Sequence, residues 1–322
     1  MAQIVLAFGG SHGPSIQTPP EGWAKLGDGD TRDPRFDFQA LLRKAKPGLE
    51  RELTAEAQGG RYKAAHGALA QLREAIDAAR LDVLLVISNQ HRVYTDDQHA
   101  VFGVLRAANF PVTKRSELPF DPDARFLPSE QQDKSVKTVI QKPGHAALAN
   151  HLIQSLIEDG FDIACVDQLR NGGVLDDAFS FPYDWLLGGA SLPLVPFLLS
   201  RDLPNQATAK RCVQLGTALG KAIAAWPEDA RVGLMASGGL SHQIVDDELD
   251  MRVVKALRAG DLDDLSKLPR ERLNIGPGTP EILNWVTVAA AMAPKTMTLV
   301  DYLPCYRSLA GTGHGLAFGY WR

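Results

Sequence analysis

Three histidines follow short apolar segments, where a side chain at a strand end could do chemistry. His12 comes after residues 4–8 and two glycines, and His91 follows the apolar residues 82–87. His242 comes shortly after a third apolar segment, RVGLMAS. An imidazole can bind a metal ion or transfer a proton near neutral pH. The three positions therefore indicate a metal site, a proton-transfer site, or both.

A carboxylate would complete one known set of metal ligands. Two imidazoles and one carboxylate hold Fe(II) in non-haem oxygenases and leave positions open for substrate and O2. His12 and His91 are the natural pair, and Glu281 falls in the first turn of a predicted helix, whose N-terminus favours an anion. Spacing alone leaves other interpretations open: hydrogen-bonded turn residues for both histidines, a helix-start acid for Glu281, and a structural role for His242.

The segments that carry these residues predict one α/β domain. Apolar runs typical of buried strands alternate with helical patterns. The predicted strands are residues 4–8, 82–87, 161–166, 193–199, 231–237 and 297–303, and the predicted helices include 145–158, 206–226, 245–260 and 281–292. This alternation predicts a single three-layer α/β domain over residues 1–322, with a mixed or mostly parallel central sheet flanked by helices. Ligands of such sheets lie beyond the carboxyl ends of the strands, where the histidines fall.

Other stretches predict irregular structure. Residues 13–60 are polar and rich in Pro, Gly and Asp, and they predict a surface excursion with helical pieces at 37–45 and 48–57. An excursion of that length is often functional, so a lid over the site or a contact between subunits is expected. Residues 107–143, the stretch LRNGGVLDDAFSFP and the Gly-rich ending SLAGTGHGLAF are also predicted without regular elements.

Composition narrows the class of protein. The 322 residues are 45% hydrophobic and 22% charged, which is typical of a globular protein with a substantial core. A net charge of −4 gives no basic field for nucleic acid or for an anionic membrane. Three scattered cysteines without a CxxC pattern argue against a zinc ribbon and suit a reducing cytoplasm. The short apolar N-terminal run predicts neither a signal peptide nor a membrane span.

Four motifs make the chain resemble the class III extradiol ring-cleavage dioxygenases, the superfamily of the protocatechuate 4,5-dioxygenase β subunit. They are SHGP with His12, SNQH with His91, ASGGLSHQIVDDELDMRVVKAL with His242, and GTPEILNW with Glu281. The C-terminal VDYLPCYRSLAGTG is similar to the branch that includes gallate and 3-O-methylgallate dioxygenases. The resemblance extends over nearly the whole chain.

The resemblance implies a role for each residue. His12, His91 and Glu281 would bind Fe(II), and His242 would be the active-site acid and base. The expected activity is extradiol cleavage of a small vicinal diphenol by O2, with a gallate-, methylgallate- or protocatechuate-like substrate. The expected setting is aromatic catabolism by a cytoplasmic homo-oligomer, a dimer.

Two residues depart from the family pattern. Asp177 stands where relatives usually carry a histidine near the substrate. Its carboxylate would repel a substrate carboxylate or accept a hydrogen bond from a phenol or ammonium group. The alternative is an aspartate that only caps a loop. Gln90 replaces an aspartate that many relatives have before the ligand His91, which could change the orientation of that imidazole.

Tyr306 and Arg307 are further candidates for binding a substrate. Both lie near the C-terminus, and an arginine can bind a carboxylate with two parallel hydrogen bonds. The alternative is a surface arginine beside a packed tyrosine.

Two other functions stay open. A non-enzymatic relative could bind another protein, although the presence of all four proposed site residues argues against it. A hydrolase could use the same ligand set with zinc, which also accepts two histidines and a glutamate. Metal identity and O2 consumption would separate a hydrolase from an oxygenase.

Overall fold

The computed structural model describes residues 1–89, 100–113, 139–169, 173–175 and 177–322. The strands are β1 (Gln3–Gly10), β2 (Val83–Asn89), β3 (Phe102–Leu105), β4 (Asn109–Thr113), β5 (Val139–Pro143), β6 (Ile163–Val166), β7 (Leu194–Leu199), β8 (Arg231–Ser237), β9 (His242–Ile244), β10 (Thr298–Tyr306) and β11 (Thr312–Trp321). The helices are α1 (Pro14–Gln17), α2 (Trp23–Asp30), α3 (Phe38–Arg43), α4 (Ala55–Ala79), α5 (Ala146–Glu158), α6 (Asp177–Phe181), α7 (Ala209–Ala225), α8 (Asp247–Ala259), α9 (Leu262–Ser266), α10 (Arg270–Leu273) and α11 (Ile282–Met292). Short 3-10 turns cover Pro20–Gly22, Leu49–Leu53 and Thr279–Glu281, and a π-helical turn covers Pro182–Leu186.

One mixed sheet forms the centre of the fold. Over the described ranges its strand order is β10-β11-β1-β8-β2-β7-β3-β6, and β9 pairs with β11. Neighbours from β1 to β7 are parallel, while β11 is antiparallel to β1, β9 and β10, and β3 is antiparallel to β7. Helices flank this sheet, so the predicted α/β class is confirmed.

The strand β2 explains the layered packing. Its seven residues are all buried, and the first five form a continuous apolar run, as expected for a strand between two helical layers. Val83, Leu85 and Ile87 pack with α5, α7 and α11, while Leu84 and Val86 pack with α4 and α6. Successive side chains of a strand point to opposite faces, so one strand contributes to the core on each side of the sheet.

The first part of the 13–60 segment belongs to the core. Ile16, Trp23 and Leu26 are at most 2% exposed and pack in the same cluster as α4. The helical pieces predicted at 37–45 and 48–57 correspond to α3 and to a 3-10 turn followed by the start of α4. The role of this segment as a lid or a subunit contact stays a prediction.

Three stretches predicted as irregular contain regular elements. The ending SLAGTGHGLAF lies mostly in β11, because its glycines admit close neighbours: a Cβ atom at Gly313 would overlap the carbonyl of Cys305. Within 107–143, β4 and β5 form a separate antiparallel ribbon. Pro111 interrupts the sequence pattern there, although the flanking Phe110 and Val112 are buried. The stretch before Pro182 contains α6.

Among the described residues, no helix is long and apolar enough to cross a lipid bilayer.

Candidate active site

The ends of β1 and β8 bring three of the predicted site residues together. His12 lies two residues after β1, His242 opens β9 soon after β8 ends, and Glu281 is the last residue of the 3-10 turn before α11. Since β1 and β8 are parallel neighbours, their carboxyl ends lie at the same edge of the sheet. The sequence predicted Glu281 in the first turn of its helix. In the structure it lies one residue earlier, at the N-cap of α11.

The Glu281 carboxylate lies between the two imidazoles. Its Oε1 is 3.9 Å from Nε2 of His12, and its Oε2 is 3.4 Å from Nε2 of His242. The three residues are 5%, 2% and 8% exposed in the order His12, Glu281 and His242. Water screens charges weakly at such burial, so the carboxylate acts strongly on whatever cation or proton stands beside it.

The orientation of His12 is set by a serine at the end of β8. The hydroxyl of Ser237 lies 2.7 Å from the carbonyl of Ala178 and must donate its single proton there. It can therefore only accept from Nδ1 of His12, which lies 3.1 Å away. This assigns the proton of neutral His12 to Nδ1 and leaves the Nε2 lone pair facing Glu281.

Two glycines let the backbone approach the Glu281 carboxylate. The amide of Gly239 donates to Oε2 at 3.0 Å. Gly238 has φ of +127°, and a Cβ atom there would overlap Oε2 of Glu281. The GG pair of the GGLSH motif therefore forms the cradle of the carboxylate.

His242 is also held in one tautomer. Its Nδ1 lies 2.9 Å from the carbonyl of Leu240, which can only accept, so Nδ1 carries a proton. Thr279 accepts from the His242 amide at 3.3 Å and donates to its carbonyl at 3.2 Å, which ties the histidine to the turn that bears Glu281. Nε2 is left as the ring atom that faces the carboxylate.

A fourth histidine, His314, was missed by the sequence reasoning. Its ring stacks on His242 with centroids 4.1 Å apart and planes inclined by 18°. Burial, together with the neighbouring His242 ring and the Arg307 guanidinium, holds the pKa of His314 well below its ordinary value. The signal was a histidine within the Gly-rich run GTGHG, but the strand register that pairs it with His242 cannot be read from that run.

The predicted residue Asp177 is the first residue of α6. The next residue, Ala178, accepts the Ser237 hydroxyl, so the start of this helix is joined to His12 through one serine. Gln90 and His91 lie outside the described residues. At the end of β2, the side-chain oxygen of Asn89 accepts at 3.2 Å from the side-chain amide of Asn284 in α11. The same amide donates to the carbonyl of Ser237 at 2.8 Å.

Tyr306 and Arg307 are both buried and both have acidic partners. The Tyr306 hydroxyl donates to Asp247 at 2.5 Å. Arg307 donates from Nε and Nη2 to the two oxygens of Asp30 at 2.6 and 2.8 Å, with both side chains fully buried. This arginine is therefore not at the surface, and among the described residues no hydrogen-bond partner is found for its third nitrogen, Nη1.

The donor set fits a cation, although the described residues supply only part of the predicted ligands. In the assigned tautomer Nε2 of His12 carries a lone pair, and it lies 3.9 Å from a carboxylate oxygen of Glu281. Among the residues placed by the structure, no group of three or more His, Cys, Asp or Glu is arranged to hold a metal ion. The third predicted ligand, His91, is not among them.

Comparison with known proteins identifies the family. Residues 49–314 match the model of the catalytic LigB subunit of aromatic ring-opening dioxygenase. The chain belongs to this family, which confirms the resemblance inferred from the motifs. The matched range contains His91, His242 and Glu281 and begins after His12.

One curated relative and one solved structure give further comparisons. A gallate dioxygenase from Pseudomonas putida is 39% identical over 107 residues, which cover 31% of this chain and 29% of that protein. The matched part is therefore less than a third of that relative's length. A crystal structure of an uncharacterized Escherichia coli protein aligns over 78% of this chain and 91% of that one, with 14% identity and a TM-score of 0.47.

Proposed function

We propose that this protein is an Fe(II)-dependent extradiol dioxygenase that opens the ring of a small vicinal diphenol with both atoms of O2. The observation that carries the proposal is the buried Glu281 carboxylate between Nε2 of His12 and Nε2 of His242. Residues 1–322 would form one catalytic domain, with the 13–60 segment as an insertion.

His12, His91 and Glu281 would hold the iron. The Ser237 contact supports this role for His12, because metal-binding histidines usually donate their other ring nitrogen to a neighbouring acceptor. Bound Fe(II) would hold the diphenol oxygens and O2 side by side and stabilise the deprotonated diphenol.

His242 would move the protons. With Nδ1–H committed to the carbonyl of Leu240, Nε2 accepts a proton from a substrate hydroxyl and later returns one. The stacked His314 and the Glu281 carboxylate restrict the ring to this geometry.

Gallate, methylgallate and protocatechuate are the proposed substrate types, and the partial match to a gallate dioxygenase supports them. Arg307 would bind a ring carboxylate through Nη1, since Asp30 occupies its other edge. Asp177 would accept from a phenol hydroxyl, and Tyr306 would line the substrate site. The dimeric, cytoplasmic state is likewise proposed, and light scattering of the purified protein tests the assembly.

The test is O2 uptake by protein reconstituted anaerobically with Fe(II). Gallate, 3-O-methylgallate, protocatechuate and catechol are offered separately, with product absorbance followed in parallel. We expect stoichiometric uptake with at least one substrate and its loss in His12→Ala and Glu281→Gln. The matched control is His151→Ala, because that imidazole is bonded to the carbonyl of Ala222 on α7 and should not affect turnover.

Two results would overturn the proposal. Iron-loaded protein that consumes no O2 with any of the four diphenols would favour the binding-protein alternative. Ester or lactone hydrolysis by zinc-loaded protein, without O2 uptake, would assign the hydrolase alternative.

A further inference from the structure

The segment that carries His242 is held by β11 on one side. The amide of Leu240 donates to the carbonyl of Gly315 at 2.9 Å, and the amide of Gly315 donates to the carbonyl of Ser241 at 2.8 Å. In this register His314 lies directly opposite His242. The stacking of the two rings therefore follows from backbone pairing, which fixes where each side chain begins.

On its other side the same segment is held by a buried carboxylate of α8. Asp250 accepts from the Ser241 amide at 2.8 Å and from the Ser241 hydroxyl at 2.6 Å. It accepts a third hydrogen bond at 2.8 Å from the Tyr302 hydroxyl, and its side chain is fully buried. A Cβ atom at Gly315 would overlap Oδ2 of Asp250, so β11 and the carboxylate meet only because position 315 is glycine.

The His314 ring has little room to move. A Cβ atom at Gly13 would overlap the ring, and one at Gly239 would lie 3.0 Å from its Cδ2. Its Nδ1 is buried, and the described part of the chain offers it no hydrogen-bond partner. Its contribution to His242 is therefore the stacked face rather than a hydrogen bond.

We propose that Asp250 and His314 are positioning residues that keep His242 in one tautomer and one ring orientation. Asp250 fixes the backbone at Ser241, which places the Leu240 carbonyl where His242 Nδ1–H reaches it. His314 covers one face of the ring and prevents it from tilting away from Glu281. Only the kinetic test of this inference rests on the proposed function, because the spectroscopic test needs no activity.

The first test is spectroscopic and needs neither iron nor turnover. Long-range proton–nitrogen correlation of 15N-histidine-labelled protein reports which ring nitrogen of His242 is protonated, with His242→Gln used for assignment. We expect a single Nδ1–H tautomer in the unsubstituted protein. We expect mixed tautomers or broadened signals in Asp250→Ala and His314→Ala. Tyr302→Phe, which leaves both Ser241 hydrogen bonds in place, should give a smaller effect.

The second test separates kcat from KM in iron-loaded protein. General acid–base catalysis contributes about 10²- to 10⁴-fold, so a disordered His242 should lower kcat about tenfold or more while KM and bound iron stay within about twofold. His314→Phe, which keeps a stacking ring, should retain more activity than His314→Ala. The control is Asp264→Ala, because that carboxylate pairs with Arg252 at a partly exposed position.

Folded Asp250→Asn and His314→Leu variants, which remove the carboxylate and the stacking ring, keep the test decisive if an alanine variant does not fold. A single unchanged His242 tautomer in every folded variant would overturn the positioning role, whatever the melting temperature. Lost iron in proportion to lost activity would also overturn it, since the effect would then lie in the metal site. If the unsubstituted protein opens no ring, the proposed function fails while the tautomer measurement still decides this inference.

Discussion

The hydroxyl of Ser237 lies 3.1 Å from Nδ1 of His12 and donates its own proton to the carbonyl of Ala178. One serine thus orients the proposed iron ligand and joins it to α6. Ser237→Ala should weaken Fe(II) binding about 10- to 100-fold, because removal of such an outer partner typically has this effect. Competition with a chelator under anaerobic conditions measures the affinity.

Ser200 provides the matched control for that substitution. It is also a fully buried serine, and its hydroxyl has no hydrogen-bond partner among the described residues. Ser200→Ala should leave iron affinity unchanged. Equal affinities for all three proteins would show that Ser237 does not orient His12.

Gly238 should tolerate no side chain. Its φ of +127° disfavours other residues, and a Cβ atom would overlap Oε2 of Glu281. Gly238→Ala should lower the free energy of unfolding by about 1–3 kcal/mol and abolish iron binding, because the carboxylate must move. Denaturant unfolding of the metal-free protein and iron content after reconstitution check the two effects.

Gly67 serves as the opposite case. It lies within α4, and no atom would lie within 4 Å of an added Cβ. Gly67→Ala should therefore raise the free energy of unfolding by up to about 1 kcal/mol and leave iron binding intact. If Gly238→Ala and Gly67→Ala had the same effect on the free energy of unfolding and on iron binding, the close contact assigned to Gly238 and Glu281 would be contradicted.

The buried pair of Asp30 and Arg307 predicts an asymmetric response. Asp30→Asn should cost about 3–5 kcal/mol of unfolding free energy, because the fully buried guanidinium loses its compensating charge. The double variant Asp30→Leu/Arg307→Met should regain most of that stability. Urea unfolding of the two variants measures the difference.

The same double variant tests the proposed carboxylate contact of Arg307. If Nη1 binds the substrate carboxylate, KM should rise for gallate and stay unchanged for catechol, which lacks that group. A similar change for both substrates would indicate that Arg307 acts only on the structure of the site.

Burial raises the pKa of Asp250 to about 6 from its ordinary value of 3.8. The unfolded chain releases this proton at lower pH than the folded protein, so the carboxylate lowers stability as pH rises from about 4 to about 6. The full cost is about 3 kcal/mol and is reached above about pH 7. Asp250→Asn lacks this titration.

The stability of Asp250→Asn relative to the unsubstituted protein should therefore improve by about 2 kcal/mol between pH 4.5 and pH 7. All other titrating groups are common to both proteins and cancel in the comparison. Guanidinium unfolding at several pH values measures the difference. A pH-independent difference would mean that the pKa of Asp250 is not raised by the fold.

Short-range patterns in the sequence were sufficient for most elements of the sheet. The strands β1, β2, β7 and β8 are built on continuous apolar runs, and such runs bounded by turn residues are typical of buried strands. The helix predicted at 245–260 is also present as α8, and it begins where Asp246 accepts from the amide of Leu249 as an N-cap. The strand β11 was missed because its glycines are not typical of a strand. They are needed for close contacts with residues distant in sequence, such as that of Gly315 with Asp250.

In the candidate site, too, some features could be predicted from the sequence and others depend on the tertiary structure. The motifs with His12, His242 and Glu281 could be recognised in the sequence, and parallel strand ends explain why the fold brings them to one edge. The sequence could not predict that His314 stacks on His242, since this depends on the register of β11 against β9.

The sequence by itself determined the α/β class, the family and the residue types available for chemistry, because each is encoded in local patterns and motifs. The tertiary structure alone decided how those residues are used. It paired Arg307 with Asp30 across 277 positions, assigned the His12 tautomer through Ser237, and placed Asp250 beneath Ser241. Such contacts join groups far apart in sequence, and only the folded backbone sets the distances on which hydrogen bonds and ion pairs depend.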